Sequence, residues 1–294
     1  MKKVLKVFLS LVMIFVITGC DINKQVKERK PVEVLNDTLK NETSIDEMKV
    51  DMSFSVKAST GGISIDSNIN AIVSAVKDGE NAKLVFELSD NPFVGAIKGY
   101  ASLTDKEVVT YIPSKIYNMI YNIDNENDIY VKNVETLSTD DDSSEETQNL
   151  NEIDLSSILT DDDFYLINKT DDYGMYRLVV SKELLERITK SIDSETTSDI
   201  NDFKGTINLN VTIDEKNNRI TEISCDLIDF VKANISSLDL GEDVNVDEII
   251  QNLSFNFKIQ YTDVEVTIPD EVINNSMLEE EYYTKYGYNE ESYE

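Results

Sequence analysis

Long runs of alternating apolar residues are the feature that most restricts the fold of this chain. Apolar side chains occupy every second position from Met52 to Ala58, from Ile63 to Ala75 with one gap, and from Ala82 to Leu88. Alternation with a period of two places one set of side chains on one face of a β-strand. Gly-containing turns at residues 60–62 and 77–80 separate the runs. We therefore expect an antiparallel meander with one apolar face.

Similar patterns recur along most of the chain. Further strands are expected at Ile97 to Leu103, Val108 to Ile112, Ile129 to Val134, Phe164 to Lys169, Tyr173 to Val180, Ile207 to Ile213, Ile220 to Phe230 and Leu253 to Tyr261. After Thr262 the alternation shifts by one residue to Val264, Val266 and Ile268. A shift of one residue inside a strand predicts a β-bulge, so we expect the last strand to bend and continue to Pro269.

Helical spacing appears in a few short segments. After Pro31, the residues Val32, Leu35 and Leu39 predict a helix that ends near Lys40. Ser181 is a suitable N-cap for a second helix, whose apolar face is formed by Leu184, Leu185, Ile188 and Ile192. Short helices are also expected at residues 151–159 and 246–252. The predicted fold class is α+β, mostly antiparallel β: a strongly curved sheet, or half-barrel, with a few packing helices. We expect one extended domain over residues 31–278.

The first twenty residues have the organisation of a secretory signal. Lys2, Lys3 and Lys6 precede an apolar stretch from Val7 to Ile17, which is too short for an ordinary spanning helix. The stretch ends in Ile17, Thr18, Gly19 and Cys20, and this motif resembles the lipobox of bacterial lipoproteins. The resemblance implies a signal peptide at residues 1–19, a diacylglyceryl group on the Cys20 sulfur and a location on the extracytoplasmic face of the cell membrane. The alternative is an uncleaved helix with an incidental cysteine.

Residues 20–30 carry several charges without apolar periodicity, which is typical of a flexible tether. The folded part resembles the LolA/LppX-like half-barrel lipoproteins in two further segments, "VTIDEKNNRITEIS" from Val211 to Ser224 and "FKIQYTDVEVTIPDEV" from Phe257 to Val272. This resemblance implies that a concave apolar face binds an acyl chain or glycolipid. The residues alone leave a second interpretation open, in which the helices at 32–40 and 184–192 fill that face as a packed core.

Composition excludes several functions. The chain has 27 Lys and Arg against 57 Asp and Glu, a net charge of −30, so its surface repels phosphate backbones and we expect no nucleic-acid binding. Histidine is absent, which excludes Ser-His-Asp and Cys-His nucleophilic sites and His-rich zinc sites. We predict no catalytic, cofactor-binding or metal-binding residues and a non-enzymatic binding module. Carboxylate-only chemistry is the enzymatic alternative that remains.

Acidic segments suggest a different class of function, a surface protein that binds a protein partner or divalent cations. The segment from Ser138 to Asn149 has no apolar residue and predicts an exposed loop. The candidate cation ligands are Asp140 to Asp142, Glu145, Glu146 and Asp161 to Asp163. The EF-hand spacing is absent from these runs, so solvated charge is the favoured interpretation.

Two features near the C-terminus complete the prediction. Cys225 shares strand parity with Ile223 and Leu227, which predicts a buried thiol rather than a reactive one. Residues 279–294 form an acidic, tyrosine-rich tail. Such an ending is typical of a disordered terminus, and tyrosines also favour a partner-binding segment.

Overall fold

A computed structural model describes residues 29–41, 45–60, 63–91, 95–125, 127–137, 155–191, 203–235 and 250–287. The predicted signal peptide, the lipidation motif Ile17 to Cys20, most of the tether and the acidic loop at 138–149 lie outside these residues. Within the described ranges, no helix is both long and apolar enough to cross a membrane.

The described residues form twelve strands and several short helices. The strands are β1 Glu47–Thr60, β2 Ile63–Asp78, β3 Asn81–Asn91, β4 Gly95–Leu103, β5 Glu107–Pro113, β6 Tyr130–Thr136, β7 Phe164–Lys169, β8 Tyr173–Val180, β9 Ile207–Asp214, β10 Arg219–Asp226, β11 Ile250–Gln260 and β12 Met277–Leu278. The helices are α1 Pro31–Asn41, α2 Ser114–Tyr121, α3 Leu155–Ile158, α4 Lys182–Ser191, α5 Ile228–Ile235, α6 Asp270–Asn274 and α7 Glu279–Tyr286.

The strands belong to one sheet that does not close on itself. Its order is β12-β6-β5-β4-β3-β2-β1-β11-β10-β9-β8-β7. The short strand β12 pairs with β6 in parallel, whereas pairs such as β2–β3, β4–β5 and β9–β10 are antiparallel. The predicted α+β class, with a mostly antiparallel sheet and a few helices, is confirmed.

The chain divides into two compact units. Within the described ranges, unit 1 comprises the residues up to Ile45, those from Ser53 to Asn68 and those between 155 and Ile259, and unit 2 comprises Asp46–Met52 and the described residues at 69–137 and 260–287. Each unit is described separately below.

In unit 1, helices pack on the apolar face of the sheet. Helix α1 begins at Pro31 as predicted, and its Val34 and Leu35 are almost completely buried. This helix contacts β7, β10 and α3, and α3 in turn contacts α4. The Ser181 hydroxyl accepts a hydrogen bond from the Leu184 amide at 3.2 Å, which confirms the predicted cap of α4. The same face of the strands contributes Leu178, Leu209, Val211, Ile213, Ile220 and Ile223, each at most 1% exposed.

In unit 2, an irregular segment covers one face of the strands. Val85, Tyr100, Val109 and Tyr111 form a buried cluster with Val272. Val266 and Ile268 pack against this cluster. The cover is thus supplied by the chain that follows β11.

The prediction that the last strand continues to Pro269 is wrong. Strand β11 ends at Gln260, and Asp263 has a positive φ of 60° that redirects the chain. The Glu47 carboxylate accepts hydrogen bonds from the amides of Asp263 and Val264 at 3.1 and 3.0 Å. These bonds satisfy backbone groups that would otherwise need a neighbouring strand.

The prediction of a disordered C-terminal tail is wrong for residues 279–286. These residues form α7, and its Tyr282 is completely buried. The Tyr282 hydroxyl donates to the Asn118 side-chain oxygen and accepts a hydrogen bond from the side-chain Nδ2 of Asn125 at 3.0 Å. Its ring lies 5.9 Å from that of Tyr117 in α2. Helix α7 is therefore part of the folded core of unit 2.

Two other predictions need correction. The strand expected at Ile220 to Phe230 ends at Asp226, because the Asp226 carboxylate accepts the Ile228 amide at 2.9 Å and α5 follows. Of the short helix expected at 246–252, residues 250–252 belong to β11 and the others lie outside the described part. The helix expected at 151–159 is found at Leu155–Ile158.

Candidate functional site

The apolar face of unit 1 has little room for a ligand where its helices lie. Leu35 of α1 and Leu184 of α4 are fully buried, as are Phe164 and Leu209 on the strands. Rings of Phe164 and Tyr176 stack at 5.1 Å. Of the two interpretations left open by the sequence, the packed core describes this part of the molecule.

Unit 2 presents a different apolar surface, centred on β3. Leu84, Phe86 and Leu88 project from one face of this strand, and all three are only half-buried. We call these three residues the β3 ridge. The alternation that predicts the ridge in the sequence is confirmed, because the opposite face of β3 carries the buried Val85.

Side chains of β2 and β4 flank the β3 ridge, and several of them are small. Leu84 is paired with Ala75 of β2 and with Ala101 of β4. Phe86 is paired with Val73 and with Gly99, and a Cβ atom built on Gly99 would lie 2.1 Å from the Phe86 ring. The ring of Phe86 thus lies directly over Gly99, which explains glycine at that position. Leu88 is paired with Ala71 of β2 and with the buried Ile97 of β4.

One end of this face is closed by aromatic side chains. Ile112 of β5 and Val131 of β6 pack with Tyr117 of α2 and Tyr282 of α7. Both helices therefore cover this face where β5 and β6 contribute to it. The half-buried residues that remain lie on β2, β3, β4 and the start of β5.

A hollow of about 330 Å³ lies on unit 1, where β1, β9, β10 and β11 run side by side. It is lined mainly by small polar side chains from Ser53, Ser55, Asn210, Ser224, Asp226, Ser254 and Asn256. Arg177 donates to the Asn210 oxygen at 3.1 Å, and Asn252 donates to Ser55 at 2.9 Å. This lining suits water or a small polar molecule and does not suit an acyl chain. No motif in the sequence marks this hollow, because its lining comes from four separate strands, one of them distant in the chain from the others.

The predicted burial of Cys225 is confirmed. The residue is 3% exposed, and burial raises the pKa of its thiol to about 12. A thiol with such a pKa is almost entirely protonated at neutral pH, so it is a poor nucleophile.

The acidic run at 161–163 is not arranged as a cation site. The Asp163 carboxylate forms an ion pair with Arg187 and accepts hydrogen bonds from the Thr160 amide and hydroxyl at 2.8 and 2.6 Å. Asp161 and Asp162 are exposed. No group of three or more potential metal-ligating side chains was found among the described residues. The other candidates, Asp140 to Asp142, Glu145 and Glu146, lie outside the described part.

Glu215, which directly follows β9, is held by several polar partners in unit 1. It accepts hydrogen bonds from the Tyr176 hydroxyl and the Lys169 ammonium, both at 2.6 Å, and Arg29 lies 3.9 Å away. Burial alone raises the pKa of Glu215, but these donors and positive charges outweigh it and leave the pKa below the usual value. The partners are structural, since they join residues near α1, β7, β8 and β9.

We expect Glu215→Gln to destabilise the protein in a pH-dependent way. A carboxylate whose pKa is lowered by folding stabilises the native state above its unfolded pKa of about 4.3, and this contribution is lost as pH falls through the folded value. The variant should lose roughly 1 to 3 kcal/mol at pH 7 in urea unfolding, and less at pH 3.5. Glu280→Gln, at an exposed position of α7, is the control. A deficit of the same size at both pH values would contradict the assignment.

Comparisons with known proteins give little further information. No family model matches the chain, and no curated protein matches it. Among solved structures, the chain is similar to a DUF1329 family protein from Desulfovibrio piger, at 13% identity over 83% of this chain and 97% of that chain, with a TM-score of 0.25. A likeness with this TM-score carries no argument about fold or function.

Proposed function

We propose that the protein is an extracytoplasmic lipoprotein, anchored in the cell membrane through acylated Cys20, that binds a lipid or another apolar ligand. The observation that carries the ligand proposal is the β3 ridge, whose three large apolar side chains remain half-buried. The anchor rests on the order of the lysines, the apolar stretch and the Ile-Thr-Gly-Cys motif.

The geometry of the ridge favours an extended apolar molecule. Beside Leu84 the neighbouring strands carry the small side chains of Ala75 and Ala101, and beside Leu88 β2 carries Ala71. Burial of each methylene of an acyl chain contributes about 0.8 kcal/mol, so even partial contact along the ridge adds to the binding free energy. The net charge of −30 disfavours flat adhesion to an anionic bilayer, so the acyl anchor is the membrane attachment and the ridge is available for a ligand.

The anchor is tested by Cys20→Ser. Without the sulfur no diacylglyceryl group can be attached, and the two acyl chains that give stable binding are lost. We expect the variant to move from the membrane fraction to the soluble fraction and from the detergent phase to the aqueous phase in a partition assay. A variant that stays in the detergent phase would contradict the lipoprotein assignment.

The ligand is tested by Leu84→Lys, which places a charge in the middle of the β3 ridge. Titration with a fluorescent fatty acid should show saturable binding to the wild type and binding at least tenfold weaker to the variant. Met119→Lys, at a position of α2 that is 56% exposed, serves as the matched control. Equal affinity of the Leu84→Lys variant and the wild type would exclude the ridge as the binding site.

The partners of the buried and half-buried acidic groups fit a binding protein better than an enzyme. Glu215 and Asp163 are each held by a basic side chain and by a hydroxyl donor. The alternative function proposed from the sequence, binding of a protein partner, is favoured by a separate surface on unit 1.

A further inference from the structure

Exposed apolar side chains are concentrated on one hairpin of unit 1, formed by β7 and β8. Among the described residues, fourteen large apolar side chains are exposed, and five of them belong to this hairpin. They are Tyr165 at 37%, Leu166 and Ile167 at 42%, Tyr173 at 46% and Met175 at 41%. Single exposed apolar residues are ordinary, but a contiguous group indicates an interaction surface.

Strand β7 is the last strand of the sheet order, and β8 is its neighbour. Tyr165 lies opposite Arg177, and Leu166 lies opposite the buried Tyr176. Consecutive residues point to opposite faces of a strand, so Tyr165 and Leu166 expose apolar surface on both faces of the same edge. The register shifts between Leu166 and Asn168, which places Ile167 in a bulge. An edge strand offers backbone donors and acceptors to another strand.

Acidic residues flank this edge at both ends. Asp161 and Asp162 precede β7, and Asp171 and Asp172 lie in the turn that follows it. All four are exposed. The only basic residue of β7 is Lys169, and its ammonium is hydrogen-bonded to Glu215 at 2.6 Å. The edge therefore combines an apolar centre with negative ends.

We propose that β7 is a docking edge for an extended segment of another protein, a peptide with alternating apolar residues between basic ends. Such a segment adds a strand to the sheet, so that main-chain hydrogen bonds supply affinity and alternate side chains contact Tyr165 on one face and Leu166 on the other. Its basic ends lie beside Asp161 and Asp162 at one end and beside Asp171 and Asp172 at the other. This proposal is independent of the lipid-binding function of the β3 ridge.

Charge disfavours two other occupants of the same surface. If a second copy of this chain paired with β7 through its own β7, the acidic residues at both ends of one edge would lie against those of the other and repel them. An anionic membrane would face the same repulsion, and the chain as a whole carries −30. A peptide with basic ends is the partner whose charge complements this edge.

The test uses the chain without residues 1–20 and a labelled nine-residue peptide, with two lysines at each end and alternating valine and threonine between them. Fluorescence anisotropy should show saturable binding that weakens as salt increases. A peptide with glutamates in place of the lysines should bind at least tenfold more weakly. A lysine-ended peptide with a central proline should also lose at least tenfold, because proline cannot donate a hydrogen bond to the edge.

Two variants and one control variant locate the site. Ile167→Lys places a charge on the edge and should weaken binding at least tenfold, whereas Ile273→Lys, at a helical position that is 43% exposed, should leave it unchanged. The double variant Asp171→Asn with Asp172→Asn should weaken binding and reduce its salt dependence. Unfolding curves of all variants should match the wild type.

Three results would overturn the proposal. One is the absence of saturable peptide binding, and another is equal binding to the Ile167→Lys variant. The third is a different contact at this edge. If no peptide binds, but Ile167→Lys abolishes binding to vesicles or dimerisation, the surface belongs to a membrane contact or to a second copy.

Discussion

Tyr282→Ala is expected to lower the free energy of unfolding by about 3 to 5 kcal/mol, the range for loss of a large buried aromatic side chain. Tyr282 is completely buried and contacts the rings of Tyr117, Tyr283 and Tyr286. Its removal leaves a cavity and also leaves the side chains of Asn118 and Asn125 without the hydroxyl that joins them. Urea unfolding, monitored by circular dichroism, measures the change.

Two further variants separate the contribution of the Tyr282 hydroxyl group from that of the buried ring. Tyr282→Phe retains the ring and should cost about 1 to 3 kcal/mol, since buried polar groups lose their partner. Tyr173→Ala, at a position that is 46% exposed, should cost far less than Tyr282→Ala. If Tyr282→Ala cost under 1 kcal/mol, α7 would be a peripheral helix rather than part of the core of unit 2.

The second large effect is expected for Leu35→Ala in α1, at about 2 to 5 kcal/mol. Leu35 is completely buried in a helix that contacts β7, β10 and α3. The alanine would leave a cavity between the helix and the sheet, because close-packed surroundings relax only in part. The change is again measured by urea unfolding.

Leu137→Ala is the matched control, since Leu137 is 42% exposed and its truncation should change stability by less than about 1 kcal/mol. A near-neutral Leu35→Ala variant would show that α1 does not fill the apolar face of unit 1. That face would then be a second candidate for the apolar ligand.

Much of the sheet is predictable from the sequence because alternation is a local signal. The pairing of Val73 with Phe86 and of Ala75 with Leu84 follows from two alternating runs joined by the turn at 77–80. The helix at Pro31 and the cap at Ser181 were also predictable, because both depend on residues within one turn of the helix.

The parts that sequence reasoning missed depend on distant contacts. Tyr282 is fixed by Asn125, 157 residues earlier in the chain. Asp263 and Val264 turn away from the sheet because Glu47, more than 200 residues earlier, accepts their amides. These partners cannot be recognised from the local sequence, which shows a strand pattern at 264–268 and an acidic, tyrosine-rich composition at 279–294.

The candidate sites were predictable to different degrees. The β3 ridge follows from the alternation of Leu84, Phe86 and Leu88, but its half-exposed state depends on what the rest of unit 2 covers. The docking edge required the strand order, because alternation cannot show that β7 ends the sheet. The assignment of Cys20 as the lipidation site stays a sequence prediction.

The central claim is that the protein binds an apolar ligand, and native mass spectrometry tests it most directly. Residues 21–294 would be produced without the anchor, incubated with lipid extract of the producing cells and measured under gentle conditions. We expect a discrete added mass that organic extraction identifies as a lipid and that the Leu84→Lys variant lacks. A mass equal to that of the bare chain, unchanged after incubation, would show that the β3 ridge binds no lipid.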